Sequence, residues 1–221
     1  MQIDPAELSV SRRYRLLISL IVPRPIAFVS TRDPGGRHNL APFSFFMGVA
    51  SDPPLLAISV STRSGAVKDT ARNILETGEF VVNSATEELA EAVNRAAGDW
   101  DPDVDEFALT GLTPVPSVRV AAPRVAEAGY SLECRSHQVI PVGREPHDTR
   151  LVIGEVVWFH LRDDLLEPAE PGAKAASGPG GGAPIVDPAR LRPIARLGKN
   201  LYTKLGERFA MDRPKGSRPD G

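Results

Sequence analysis

From Arg24 to Phe46 the chain reads Arg-Pro-Ile-Ala-Phe-Val-Ser-Thr-Arg-Asp-Pro-Gly-Gly-Arg-His-Asn-Leu-Ala-Pro-Phe-Ser-Phe-Phe, and this stretch restricts the fold more than any other. Ile26, Ala27, Phe28 and Val29 form an apolar run. Asp33-Pro34-Gly35-Gly36 carries the turn chemistry that reverses the chain, so two successive strands must lie antiparallel. The hairpin gathers Ser30, Thr31, Asn39 and Ser44 towards one end, edged by Pro42, Phe43 and Phe45. Hydroxyls and an amide beside apolar rings suit a flat, partly apolar ligand that needs a few placed hydrogen bonds.

The remaining pattern continues in the same vein. Tyr14, Leu17, Ile18 and Ile21 predict a short amphipathic helix from about Ser11 that stops before Pro23. Leu55 to Ser61 is a strand, followed by a helix with Val67, Ala71, Ile74 and Leu75 on one face and Gly78 as its stop. Phe80 to Asn83 is β-branched and aromatic, and Leu89, Val93, Ala96 and Ala97 mark another helix. After a loop-rich reach over 98–128, two longer strands run from Tyr130 to Val142 and from Leu151 to Leu161. At least five strands with three or four short helices lack the regular alternation of a doubly wound sheet and favour an antiparallel barrel.

A chain of 221 residues with 42% hydrophobic content supports one core, so residues 1–210 read as a single domain. Residues 167–184, rich in Gly, Pro and Ala, read as a flexible loop, 187 onward as a helical or irregular segment, and 211–221 as a polar tail. Acidic residues concentrate over 87–106 and basic ones over 190–208, yet a net charge of -2 gives no general attraction for nucleic acid or anionic membrane. The arginines are dispersed without an aromatic stacking ladder, which argues further against nucleic acid. One cysteine, Cys134, excludes a disulfide framework and fits a reducing cytoplasm. The sequence has no run of transmembrane length and no signal-peptide pattern at its start. Glycine fingerprints, Walker loops, HExxH and GxSxG are all missing, and His38, His137, His147 and His160 show no metal-site spacing.

Lys68-Asp69-Thr70 falls in the first turn of the helix after the Leu55 to Ser61 strand. An anion there meets unpaired backbone N–H groups, the positive end of the helix dipole, an ammonium and a hydroxyl. The same three residues also suit an ordinary helix start. Ser59 and Ser61 end the preceding strand, and several neutral donors with one lysine can hold a monophosphate without a dedicated loop.

The ordered series Arg24-Pro25-Ile26-Ala27, Ser30-Thr31, Asn39 to Phe46, Asp52-Pro53-Pro54, Lys68-Asp69-Thr70 with Asn73-Ile74, and Glu79 to Asn83 resembles the flavin reductase-like family of FMN-binding split barrels, which includes the flavoredoxins. Asp105-Glu106-Phe107, Leu132-Glu133-Cys134 and Ile153-Gly154-Glu155-Val156 extend the match, which runs from about 10 to 203. The resemblance implies a mainly β, six-stranded antiparallel Greek-key split barrel with short peripheral helices. It implies a homodimer with FMN near the subunit interface. Ser30, Thr31, Asn39, Ala41, Pro42, Phe43, Ser44 and Phe45 would line the isoalloxazine and ribityl chain, with Ser59, Ser61, Lys68, Asp69 and Thr70 towards the phosphate. Asp69 is tolerable beside a phosphate only if it turns away to cap the helix or pair with an arginine. Arg192 to Gly198 with Tyr202 resembles the family's C-terminal motif, bringing Arg196 and Tyr202 near a flavin ring; a basic strip of exposed helix is the plain alternative. Lys199-Asn200 departs from the glycine-rich continuation expected there.

The implied activity is NADH- or NADPH-dependent reduction of FMN, with electrons passed to a monooxygenase partner or another acceptor. The flavin would carry the chemistry, so no protein catalytic dyad is expected. A non-catalytic flavin-binding electron carrier is the alternative. An oxidase or haem-handling barrel would call for ring-facing residues other than Asn39 to Phe46.

Overall fold

The computed structural model describes residues 1–62, 65–101, 103–167, 185–212 and 214. The first helix, α1 (Val10–Leu20), opens at Ser9, whose hydroxyl accepts from Arg12 N at 3.3 Å. A two-residue strand β1 (Arg24–Pro25) precedes β2 (Ala27–Arg32), β3 (His38–Phe43), β4 (Phe46–Ser51) and β5 (Pro54–Ser61). Helix α2 (Asp69–Thr77) ends at Gly78, which takes the left-handed conformation (φ 71°) that a side chain resists. β6 (Glu79–Ser84) leads to α3 (Ala90–Ala96) and α4 (Glu106–Thr110), the latter capped by Asp105. The small pair β7 (Pro114–Val115) and β8 (Arg124–Val125) precedes the long hairpin of β9 (Tyr130–Val142) and β10 (Thr149–Leu161). The C-terminal part holds α5 (Pro188–Leu191), β11 (Ile194–Arg196) and β12 (Tyr202–Lys204).

Seven strands form one antiparallel sheet in the order β3-β2-β6-β9-β10-β5-β4. If flat, this sheet would hold its edge strands about 29 Å apart at the normal strand spacing. Only Ser44 and Phe45 join those two edges, so the sheet must curl until they meet. The result is a mainly β antiparallel split barrel. Its sheet has seven strands where six were expected: the addition is β4, whose sequence Phe-Met-Gly-Val-Ala-Ser lacks alternation because five of its six residues are exposed.

Alternation along β2 divides the interior. Ala27 and Val29 face the barrel lumen with Ile58, Phe80, Val82 and Val152, and α2 plugs this core with Ala71 and Ile74. Phe28 faces outward into a second core with Leu40, Val93, Phe107 and Ile194 beneath α3 and α4. β2 is therefore apolar on both faces, as the unbroken run Ile26 to Val29 suggests. Burial of each large side chain contributes about 1.5–3 kcal/mol. Leu75, placed by periodicity on the packed face of α2, is exposed instead. Cys134 is fully buried, and burial pushes its thiol up, which leaves it inert.

The segment read as helical or irregular from 187 begins with the single turn α5 but continues as strands: β11 pairs with β1 and with β12. The supposed exposed helix over Arg192 to Tyr202 is thus a small three-stranded sheet. The loop-rich reach over 98–128 contains α4, β7 and β8. Nearly all of the 167–184 loop and most of the 211–221 tail lie outside the described residues.

Candidate functional site

A buried polar bridge joins the barrel to α2. Asn39 Nδ2 donates to Thr70 Oγ1 at 2.8 Å and to Thr31 Oγ1 at 3.3 Å, while Asn73 Nδ2 donates to Thr31 Oγ1 at 3.0 Å. These four residues occur where β2, β3 and the first turns of α2 converge, and all are buried. Asn73 Oδ1 is buried without a hydrogen-bond partner among the described residues. The bridge fixes how the N-terminus of α2 is presented beside β3.

That N-terminus faces a cavity of about 380 Å³ lined in part by Asn39, Ala41, Pro42, Phe43, Lys68, Asp69 and Thr70. Lys68 occupies the N-cap position, and among the described residues no side chain caps the helix, which leaves its first amides available. Asp69 pairs with Arg72 one turn on, the outcome required for a carboxylate tolerated beside a phosphate. Glu106, also on the lining, accepts from Leu40 N at 3.0 Å. Burial raises its carboxyl above the ordinary range, and the Leu40 amide only partly offsets this.

Pro42, Phe43 and Ala97 also line a second, larger groove of about 1270 Å³, so the two spaces adjoin along one wall. The groove runs between α1, the end of β3 and the β11–β12 hairpin, with Ser44, Arg196 and Tyr202 on its surface. The Arg196 guanidinium stacks over the Tyr202 ring, 4.4 Å from its centroid.

Arg24, only 4% exposed, ties these walls together. Its Nη1 donates to the carbonyls of Ile18 and Ile21 at 2.5 and 2.8 Å, and its Nη2 to Leu197 O at 3.0 Å. Its Nε donates to Ser44 Oγ at 3.3 Å. One side chain thus satisfies the end of α1, the hairpin and the β3–β4 corner. Burial lowers its pKa, Tyr14 partly opposes this, and nearby Arg196 lowers it further.

The two adjoining spaces bring together Asn39, Ala41, Pro42, Phe43, Ser44, Lys68, Asp69, Thr70, Arg196 and Tyr202. Thr31 stands behind them in the polar bridge. Ser30 lies on the opposite face of β2, fully buried, where its hydroxyl donates to Pro123 O and accepts from Asn83. Ser59 bonds Thr149 across the β5–β10 pair at 2.8 Å, Ser61 is exposed, and Phe45 is 37% exposed; none of the three lines either space. Sequence reasoning missed Arg24, Glu106 and the α1 wall as site components. Arg24 gave one signal: a charge immediately before the apolar β2 run must find buried partners.

Residues 19–175 match the family model described as flavin reductase like domain. An uncharacterized protein of Halalkalibacterium halodurans is 42% identical over 217 residues, covering 97% of each chain. The solved structure of nitrilotriacetate monooxygenase component B from Bacillus cereus is similar with a TM-score of 0.86 and 37% identity, covering 96% of this chain and 98% of that one. That of the Pseudomonas fluorescens 2-nitrobenzoate 2-nitroreductase NbaA gives a TM-score of 0.78 and 27% identity over the whole of both chains. With its split barrel and this match across most of its length, the chain belongs to the flavin reductase like domain family and is a flavin-related oxidoreductase.

Proposed function

We propose that the protein is an NAD(P)H-dependent FMN reductase, with the FMN phosphate at α2 and the ring in the larger groove. The observation that carries this reading is the uncapped α2 N-terminus beside Lys68, opening into a space that adjoins the apolar groove at Pro42 and Phe43. The residues fit the group. Free amides and an ammonium suit a phosphate, and Asp69 is already neutralised by Arg72. Bound there, FMN would supply a hydride-accepting ring and a store for two electrons.

The chain's own tasks are binding and orientation. Lys68 and the α2 amides would fix the phosphate, and Pro42 and Phe43 would exclude water along the shared wall. Ser44 Oγ accepts from Arg24, which leaves its own proton for the polar edge of a ring. The open groove beside Arg196 and Tyr202 admits a second, nicotinamide ring in stacking range.

Two partners belong to the same reading. Exposed Met47 and Val49 on β4, with Leu20 and Ile21 at the end of α1, offer apolar surface to a second copy of the chain. Reduced flavin would pass to a monooxygenase or another acceptor, by analogy with the monooxygenase component named above. Anaerobic stopped-flow mixing of FMN-loaded protein with NADH and with NADPH tests the reading: bleaching of the flavin by either supports it. Bleaching by dithionite alone replaces it with a non-catalytic flavin carrier.

A further inference from the structure

The larger groove is strongly cationic in a chain whose formal net charge is -2. Arg12, Arg15, Arg24, Arg196 and Lys199 line it, and among the described residues no carboxylate does. Arg24 is committed to three carbonyls and Ser44, and Arg196 to the face of Tyr202. The others are uncommitted: Arg12, Arg15 and Lys199 form no ion pair among the described residues.

Helix stability does not explain the arginines of α1. Its first turn holds no acidic residue, and Arg12 sits there against the positive end of the dipole, a placement that disfavours the helix. Arg12 and Arg15 are three residues apart and so present neighbouring guanidinium groups on one helix face. Gly198, beside Lys199, packs against Ser19 of the same helix. The groove, at about 1270 Å³, also exceeds the roughly 300–1,000 Å³ of an ordinary small-ligand site, leaving space beyond a flavin ring.

We propose that Arg12 and Arg15, with Lys199, receive the 2′-phosphate of the nicotinamide donor, so that the protein selects NADPH over NADH. This deepens the reading that the groove takes a nicotinamide donor, and rests on it. NADH and NADPH share their pyrophosphate and differ by one phosphate monoester, which carries about -1.5 to -2 charge at neutral pH. Arginine forks match that group bidentately, and each such contact is worth about tenfold or more in affinity.

Calorimetric titration of FMN-loaded protein with NADP+ and NAD+, which bind without reacting, tests the assignment. The wild type is expected to bind NADP+ at least tenfold more tightly than NAD+, with the gap shrinking as salt is raised. The double variant Arg12→Gln, Arg15→Gln should bring the two affinities together by weakening NADP+ alone. Arg13→Gln, on the same helix but off the groove, should leave the gap intact. Arg12→Lys, Arg15→Lys keeps the charge without the fork and should retain part of it. Equal affinities in the wild type, an unchanged gap in the double glutamine variant, an equal loss in Arg13→Gln, or no binding of either nucleotide would overturn the proposal while the FMN reading stands. Failure of FMN itself to bind in a preceding titration removes both.

Discussion

Replacement of Lys68 by alanine separates a phosphate site from an ordinary helix start. Lys68 is half-buried at the N-cap of α2, makes no side-chain cap bond and lines the smaller cavity. Opposite unit charges about 4 Å apart near a protein surface attract by roughly 4 kcal/mol before desolvation. Desolvation and ordering reduce such a contact to a net of about 1–3 kcal/mol, or about 5- to 150-fold in dissociation constant. In the apo protein the ammonium has no described partner to lose, so the melting temperature should hold. Titrations of the wild type and Lys68→Ala with FMN and with riboflavin measure the effect, since riboflavin lacks only the phosphate. The wild type should prefer FMN, and the variant should lose affinity for FMN but not for riboflavin. Equal wild-type affinity for the two, or an equal loss for both in the variant, refutes the reasoning.

Asn39→Leu should behave oppositely: it breaks the bridge to Thr70 and leaves that buried hydroxyl unpaired, while Thr31 keeps its bond from Asn73, lowering apo stability by about 1–3 kcal/mol in a urea melt. Gly154→Ala would drive a methyl into the Phe80 ring, inside the lumen core, and should cost about 1–3 kcal/mol; an unchanged denaturation midpoint contradicts the packing described. Burial alone would push the Glu133 carboxyl up, but His160 and the Val118 and Arg119 amides outweigh it and hold it below the ordinary range. Its stabilisation is therefore present above the ordinary glutamate range and lost as pH falls through the folded value. Melts at pH 7 and pH 4 should show Glu133→Gln less stable at pH 7 by about 1.5–3 kcal/mol, with the gap to wild type closing at acid pH.

Much of this architecture is visible in local patterning, and the departures have physical causes. The glycine stop of α2 and the long β9–β10 hairpin follow from periodicity and punctuation that agree with their packing; helix α1 forms where its periodicity places it, but of Tyr14, Leu17, Ile18 and Ile21 only Ile18 is buried, and the other three are exposed on this chain. β4 gives no such signal, because an edge strand with exposed Met47 and Val49 has no buried face to impose alternation. The C-terminal sheet is equally silent: β11 and β12 are three residues each, and their pairing with β1 spans the length of the chain. Asn39 meets Thr31 and Thr70 near the turn of the β2–β3 hairpin, but Ser44 follows Phe43, the partner of Ala27, at the hairpin's opposite end, so the polar cluster expected at one end is divided between two adjoining spaces. What motif position does not convey is side-chain direction. On β5, Ile58 and Val60 fill the lumen, so Ser59 and Ser61 must point the other way. On β2, Ser30 joins Asn83 while Thr31 joins Asn39. Arg24 could be quoted from sequence but not assigned, since its four bonds reach elements up to 173 residues away.

A crystal structure of the protein grown with FMN tests the central claim most directly. The account predicts the phosphate within hydrogen-bond reach of Lys68 Nζ and the first amides of α2, and the ring in the groove bounded by Ser44, Arg196 and Tyr202. A flavin bound elsewhere, or bound with its phosphate at the Arg12–Arg15 edge and its ring at α2, would contradict it.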